Sequence, residues 1–226
     1  MDLDYSDFTQ ITNLPFPSPL PLPSHRFEYK ATGGVLYFSY MGRSKFQELR
    51  NQTENDSFIR GLESLYLYGS SGSGKSHLLA ALVCHLIKKG ERVVYIPNCG
   101  ELLGTVARLG NLRKALRFSF YDDADSLGEI MSANSIEDLL QFWEYQEDIF
   151  LVVDQLNALD KEDKACHDVK DLLCTMKSQH RYIFSASANE ASNQLVHLKN
   201  SQIRVILFYG GMTEVSHSLG VHNMIY

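Results

Sequence analysis

The residues best equipped for chemistry lie in one short run, Gly69-Ser70-Ser71-Gly72-Ser73-Gly74-Lys75-Ser76, which fits G-x-x-x-x-G-K-[ST] with no mismatch. The residue types suit a polyphosphate. Gly69, Gly72 and Gly74 can take positive φ and let successive backbone N–H groups point inward at an anion. A helix starting at Lys75 adds its N-terminal dipole and unpaired N–H groups. Lys75 then reaches the β- and γ-phosphates and the Ser76 hydroxyl ligates Mg²⁺, while Ser70, Ser71, Ser73 and His77 complete the cradle. The alternative is a Gly/Ser linker that matches by chance. A β-prone apolar run, Leu65 to Tyr68, just before it and a helix-forming apolar run, Leu78 to Ile87, just after it argue against that.

A second chemical signal is Asp154. It follows Ile149-Phe150-Leu151-Val152-Val153, an apolar run rich in β-branched residues that reads as a fully buried strand. An acid at the C-terminal end of such a strand stands where an open parallel sheet binds its ligands. It can hold Mg²⁺ opposite Ser76. The expected catalytic set is Lys75, Asp154 and Gln155. Many hydrolysing relatives carry Glu at the position of Gln155. An amide cannot take a proton but can orient a water, so Gln155 points to slow, switch-like turnover or to binding without hydrolysis. Ser187 and Asn189, at the end of a later strand, are placed either to sense the γ-phosphate or to cap the next helix. Arg181 and Arg204 are conceivable charge stabilisers. A GTPase is disfavoured, because the chain has no Asn-Lys-x-Asp run and Asp154 is not followed by Gly three residues on.

The elements that must position these groups read as an α/β domain. Val35 to Phe38 is a short strand, with helical pieces at Arg43 to Leu49 and Phe58 to Leu62. Phe27, Tyr29 or Tyr37 could stack on a nucleotide base, against the stronger reading that they are core. The helix from Lys75 to Lys89 is apolar on most faces and closes on Gly90. Arg92 to Ile96 is the next strand, which implies a right-handed βαβ unit and a parallel sheet. Glu101 to Leu109, Leu112 to Tyr121 and Ser135 to Tyr145 look helical, the last with an acidic first turn. Arg108, Arg113, Lys114 and Arg117 form a basic cluster, read as a solvated helix face. Lys161 to Ser178 is an amphipathic helix. Arg181 to Asn189 and Gln202 to Tyr209 are the last two strands, and Met212 to Tyr226 begins another helix.

Composition narrows the class. The 226 residues suffice for one α/β domain, and a net charge of −6 gives no support to a large nucleic-acid footprint. The four cysteines form no C-x-x-C, and the histidines show no ligand spacing, so neither disulfides nor zinc are expected. The N-terminus lacks a secretory pattern and no apolar run is long enough to span a membrane, so an intracellular location, cytoplasm or nucleus, is expected. Residues 1–26, with alternating prolines from Pro15 to Pro23, read as a disordered tail, and 27–226 as the domain.

Several segments together resemble the NTPase domain of Crinkler-type proteins, effectors of water moulds and fungi. They are YLYGSSGSGKSHLLAAL, RVVYIP followed by NCGELL, FLVVDQLNAL, FSASAN and YGGMTE. The resemblance implies a three-layer α/β/α P-loop NTPase with a mostly parallel five-stranded sheet in the order 5-1-4-3-2. It also implies ATP on Gly69 to Ser76, magnesium on Asp154, and Gln155 as a family trait. In that family the module commonly adjoins a toxin domain, so a partner domain or self-association is expected. The run YGSSGSGKSHLL with the Gly-Glu-Arg-Val strand also resembles AAA+ helper ATPases of the helicase-loader kind. That group needs a helical lid and an arginine finger.

Overall fold

The computed structural model describes residues 4–20, 26–59, 64–178, 180–187 and 203–208. In chain order the elements are β1 (Ile11–Pro15), β2 (Tyr29–Thr32), β3 (Val35–Met41), α1 (Ser44–Thr53), α2 (Asp56–Ile59), β4 (Ser64–Gly69), α3 (Lys75–Lys88) and β5 (Arg92–Ile96). There follow α4 (Thr105–Ser119), α5 (Ala124–Ser132), α6 (Ile136–Glu144), β6 (Ile149–Val153), α7 (Lys164–Lys177), β7 (Arg181–Ser187) and β8 (Ile203–Phe208). Single-turn 3₁₀ helices cover Cys99–Leu102 and Leu156–Leu159.

The central sheet has five strands in the order β5-β6-β7-β4-β8, with each neighbouring pair parallel. Numbered within the sheet, this is the expected 5-1-4-3-2 read from its other edge. Strand periodicity splits the core into two layers. Tyr66, Leu151, Val153, Tyr182 and Phe184 face a cluster shared with α4, α5, α6 and α7. Leu65, Leu67, Phe150, Val152 and Ile183 face a second cluster built on α3. Helix α3 is sandwiched between that face and the N-terminal elements, which explains why Leu78 through Val83 are all buried.

Residues 4–20 correct the expectation of a tail. Strand β1 pairs antiparallel with β3, and β3 with β2, as a small sheet in the order β1-β3-β2. Tyr5, Leu14, Phe16 and Leu20 are buried. Proline is tolerated because β1 is an edge strand and Pro15 closes it, where a missing N–H costs no ladder bond. Phe16 resumes the pairing, its N–H donating to Leu36 O at 2.7 Å. Burying these aromatics outweighs the extended preference of the proline spacing.

Two helical readings also change. The segments expected at 101–109 and 112–121 merge into α4, which runs through Gly110 because Leu112, Ala115 and Leu116 stay on the buried face. Its basic cluster is not a uniform solvated face. Arg108 is buried, its Nε donates to Leu102 O at 2.8 Å, and it faces Asp168 at 3.8 Å. Lys114 and Arg117 are exposed. The start of α6 is a capping box between Ser135 and Asp138, as the acidic first turn suggested. Among the described residues no helix is long and apolar enough to cross a membrane. The expected helix at Met212 to Tyr226 lies outside them.

Candidate functional site

Three strand ends meet at the C-terminal edge of the sheet. Strand β4 runs into the glycine-rich loop, and α3 leaves it at Lys75. Gly72 and Gly74 take φ values of 77° and 83°, as the turn requires. Gly69 is needed for a different reason. A Cβ there would lie 1.9 Å from the backbone oxygen of Phe208 on β8. Ser70 N–H donates to that same oxygen, and Gly69 sits beside Ser187 of β7 in register.

Lys75 and Ser76 are buried, an unusual state for a lysine that marks a built site. The Lys75 ammonium folds back over the loop, donating to Gly69 O and Ser70 O at 2.8 Å each and to Ser73 Oγ at 3.3 Å. Burial pulls its pKa down; the Asp154 charge works against that, and Arg26 adds to it. Arg43, from the turn after β3, braces the loop from outside by donating to Ser73 O at 2.7 Å.

Asp154 is almost fully enclosed, at 2% exposure. Its backbone is pinned on both sides, N–H to Ile96 O at 2.9 Å and carbonyl to Cys99 N at 3.1 Å. Its Oδ1 accepts from the Ser185 hydroxyl and from Gln155 N–H. Burial pushes its carboxyl up, and the Ser185 and Ser76 hydroxyls, Arg26 and the Gln155 amide draw it back. The Ser76 hydroxyl is close enough to exert that pull, yet Oδ2 has no hydrogen bond of proper geometry. A buried carboxylate oxygen left without a donor, with a serine hydroxyl beside it, is a hard oxygen pair of the sort that suits Mg²⁺. The residues therefore fit the expected cation.

Gln155 is turned away from the loop. It has a left-handed backbone, φ 63° and ψ 43°, and its Nε2 donates to Pro97 O at 3.0 Å. Pro97 follows β5, which flanks β6 on the side away from β7 and β4. Ser187 lies at the end of β7, its N–H donating to Asn157 Oδ1 at 3.3 Å. Asn189 lies outside the described residues. His77 is the neighbour of an aromatic cluster: its ring lies 4.4 Å from that of Phe27, which also meets Phe16 and Phe38. Phe27 is thereby core, as the stronger reading had it. Arg181 lies at the opposite end of the sheet, bonded to Glu91 and to Asp148 O and stacked over Phe150. Arg204 pairs with Gln52 near the start of β8. Neither sits at the loop. No group of three or more acidic, histidine or cysteine side chains forms a metal cluster among the described residues.

Three contributors were missed by sequence reasoning: Arg26, Arg43 and Ser185. The Arg26 guanidinium reaches Ser76 Oγ at 3.4 Å. None belongs to a local motif; only Ser185, two residues before Ser187 on the same strand, could have been found by its alternation along β7.

With strand order and loop in place, the class of fold is decided. The fold is that of a P-loop NTPase. No protein-family model matches the chain. A chromosomal replication initiator protein DnaA of onion yellows phytoplasma (strain OY-M) is 26% identical over 168 residues, 70% of this chain and 30% of that protein. The chain thus spans under a third of that relative. Among solved structures, AMPPCP-bound DnaA from Aquifex aeolicus is 16% identical with a TM-score of 0.44, covering 73% of this chain and 47% of that one. The Aeropyrum pernix ORC1 protein in complex with DNA is 17% identical with a TM-score of 0.48, covering 73% and 45%. Scores this low carry no argument, and the fold is assigned from this chain's own strand order and loop.

Proposed function

We propose that the chain binds ATP together with Mg²⁺ at the Gly69–Ser76 loop and acts as a nucleotide-dependent switch with slow turnover or none. One observation carries this reading: a phosphate loop and a buried carboxylate with an unused oxygen, Asp154 Oδ2, converge on Ser76. Lys75 and the loop amides would bind the phosphates, while Ser76 and Asp154 would hold the cation, which would supply neutralisation of the phosphate charge. Gln155 supports the slow side of the reading, since its amide is engaged at Pro97 O. Calorimetry with ATP and magnesium should give a heat of association that Lys75→Ala abolishes, with phosphate release far below that of efficient ATPases. No heat with the wild-type chain sinks the proposal.

The replication initiator alignment favours a second reading, an AAA+-like ATPase that works on DNA. It predicts faster phosphate release on adding single-stranded or duplex DNA. The Crinkler-type reading rests on motif resemblance alone; neither the family models nor the relatives found support it.

A further inference from the structure

The segment between β1 and β2 brings one cation into the site that the loop motif does not account for. Arg26 stands with its NH1 3.4 Å from Ser76 Oγ. Its charge is felt by the Asp154 carboxyl, by the Lys75 ammonium and by the Tyr95 hydroxyl, three groups on three different elements around one point. Its backbone is held in place by the next residue. Phe27 is 4% exposed, and its ring packs on His77 of α3 at 4.4 Å and on Phe38 of β3 at 5.5 Å. Arg26 is therefore delivered by a packed anchor onto the pair of oxygen groups assigned above to a divalent cation. A guanidinium is always charged, and its planar fork of N–H donors matches phosphate oxygens.

We propose that Arg26 is a built-in cation of the nucleotide site, stationed beside Ser76 and Asp154, and that it lets the chain hold a nucleoside triphosphate without a divalent metal. This rests on the nucleotide-binding reading above. Two effects of removing Arg26 act in the same direction. Without metal, the triphosphate loses a cation that the structure brings to Ser76, so binding weakens. With metal, the variant no longer presents a positive charge that the metal must displace from Ser76, so binding suffers less. The dependence on magnesium must therefore grow.

The test is calorimetry of ATP on the full chain, in magnesium and in EDTA, for wild type, Arg26→Ala, Arg26→Lys and Lys75→Ala. The ratio of Kd in EDTA to Kd in magnesium should be under about tenfold for wild type, and at least about tenfold larger for Arg26→Ala. Arg26→Lys, which keeps the charge but not the fork, should fall between. Circular dichroism and melting check folding; if Arg26→Ala does not fold, Arg26→Gln is expected to show the same change. An unchanged ratio in a folded variant, or a wild-type ratio already above about a hundredfold, overturns the role of Arg26 while Lys75→Ala still loses binding. No heat from wild type in either buffer overturns the site itself and this proposal with it.

Discussion

Replacing Gly69 by alanine isolates a contact that the phosphate-loop motif does not reveal. The added Cβ would stand 1.9 Å from Phe208 O and 2.8 Å from Phe208 Cβ, against ordinary contacts beyond 3.4 Å. The obstacle on the β8 side is backbone, within a parallel ladder that ends at the Gly69–Phe208 pair. The two strands must part by more than an ångström, or β8 must shift its end. Overpacking of this kind costs about 3 kcal/mol, the upper part of the usual range. Gly72 provides the internal control. Its φ is 77° but nothing lies within 4 Å of a Cβ there, so Gly72→Ala carries only left-handed strain, about 1 kcal/mol. For a chain of this length that corresponds to a drop in Tm of roughly 6–12 °C for Gly69→Ala and roughly 2–4 °C for Gly72→Ala. Urea denaturation and thermal melting of nucleotide-free protein measure both. Equal losses in the two variants, or a Gly69→Ala protein as stable as wild type, would refute the close-approach argument and return Gly69 to a purely phosphate-binding role.

Three other outcomes follow from the same geometry. Burial, with Arg43 nearby, holds His77 down at about 4 against an ordinary 6.5. Between those values the unfolded chain binds the extra proton, so stability from neutral His77 is complete above pH 6.5 and drains away as pH falls toward 4. Wild type should lose about 2 kcal/mol more than His77→Phe between roughly pH 7.5 and 5; an NMR titration of His77 with a midpoint near its ordinary value would contradict this. Gln155→Glu should not speed phosphate release, because the carboxylate would face Pro97 O instead of the loop, and it should cost about 1–3 kcal/mol of stability in urea. Faster release would show that the side chain swings round to the nucleotide. Arg43→Ala removes a charged hydrogen bond to Ser73 O, worth about 1.5–3 kcal/mol, and should weaken ATP about tenfold in calorimetry; unchanged affinity would mean that the loop holds its shape alone.

Much of the sheet was legible because its signals are local and periodic. The apolar runs ending in Gly69 and Asp154 are strands for the reason the sequence suggests, since both of their faces are covered. The glycine and lysine spacing fixed where α3 begins. Chain order alone did not set which strands touch; the expected order came from the family resemblance, and the observed order agrees with it. The N-terminal sheet was hidden because proline spacing resembles extended chain, while its stability comes from burying Tyr5 and Phe16 against residues far along the sequence. Arg26 and Arg43 were hidden for a related reason: a single long side chain reaching across tens of residues leaves no periodic trace. Gln155 stood out in the sequence by its residue type, but the direction of its side chain depends on a left-handed backbone that no residue type announces.

The small β1-β3-β2 sheet ties the front of the chain to the loop. Tyr5 stacks on Phe46 at 4.7 Å and meets His85 edge-on at 5.4 Å, while Phe16 seats Phe27 at 5.2 Å. A version shortened to start at residue 27 would leave Phe38, Phe46 and His85 open to water along one flank of α3. It would also strip Ser76 of its arginine neighbour. Trimming the proline-spaced region as dispensable would thus unseat the helix on which the phosphate cradle is mounted.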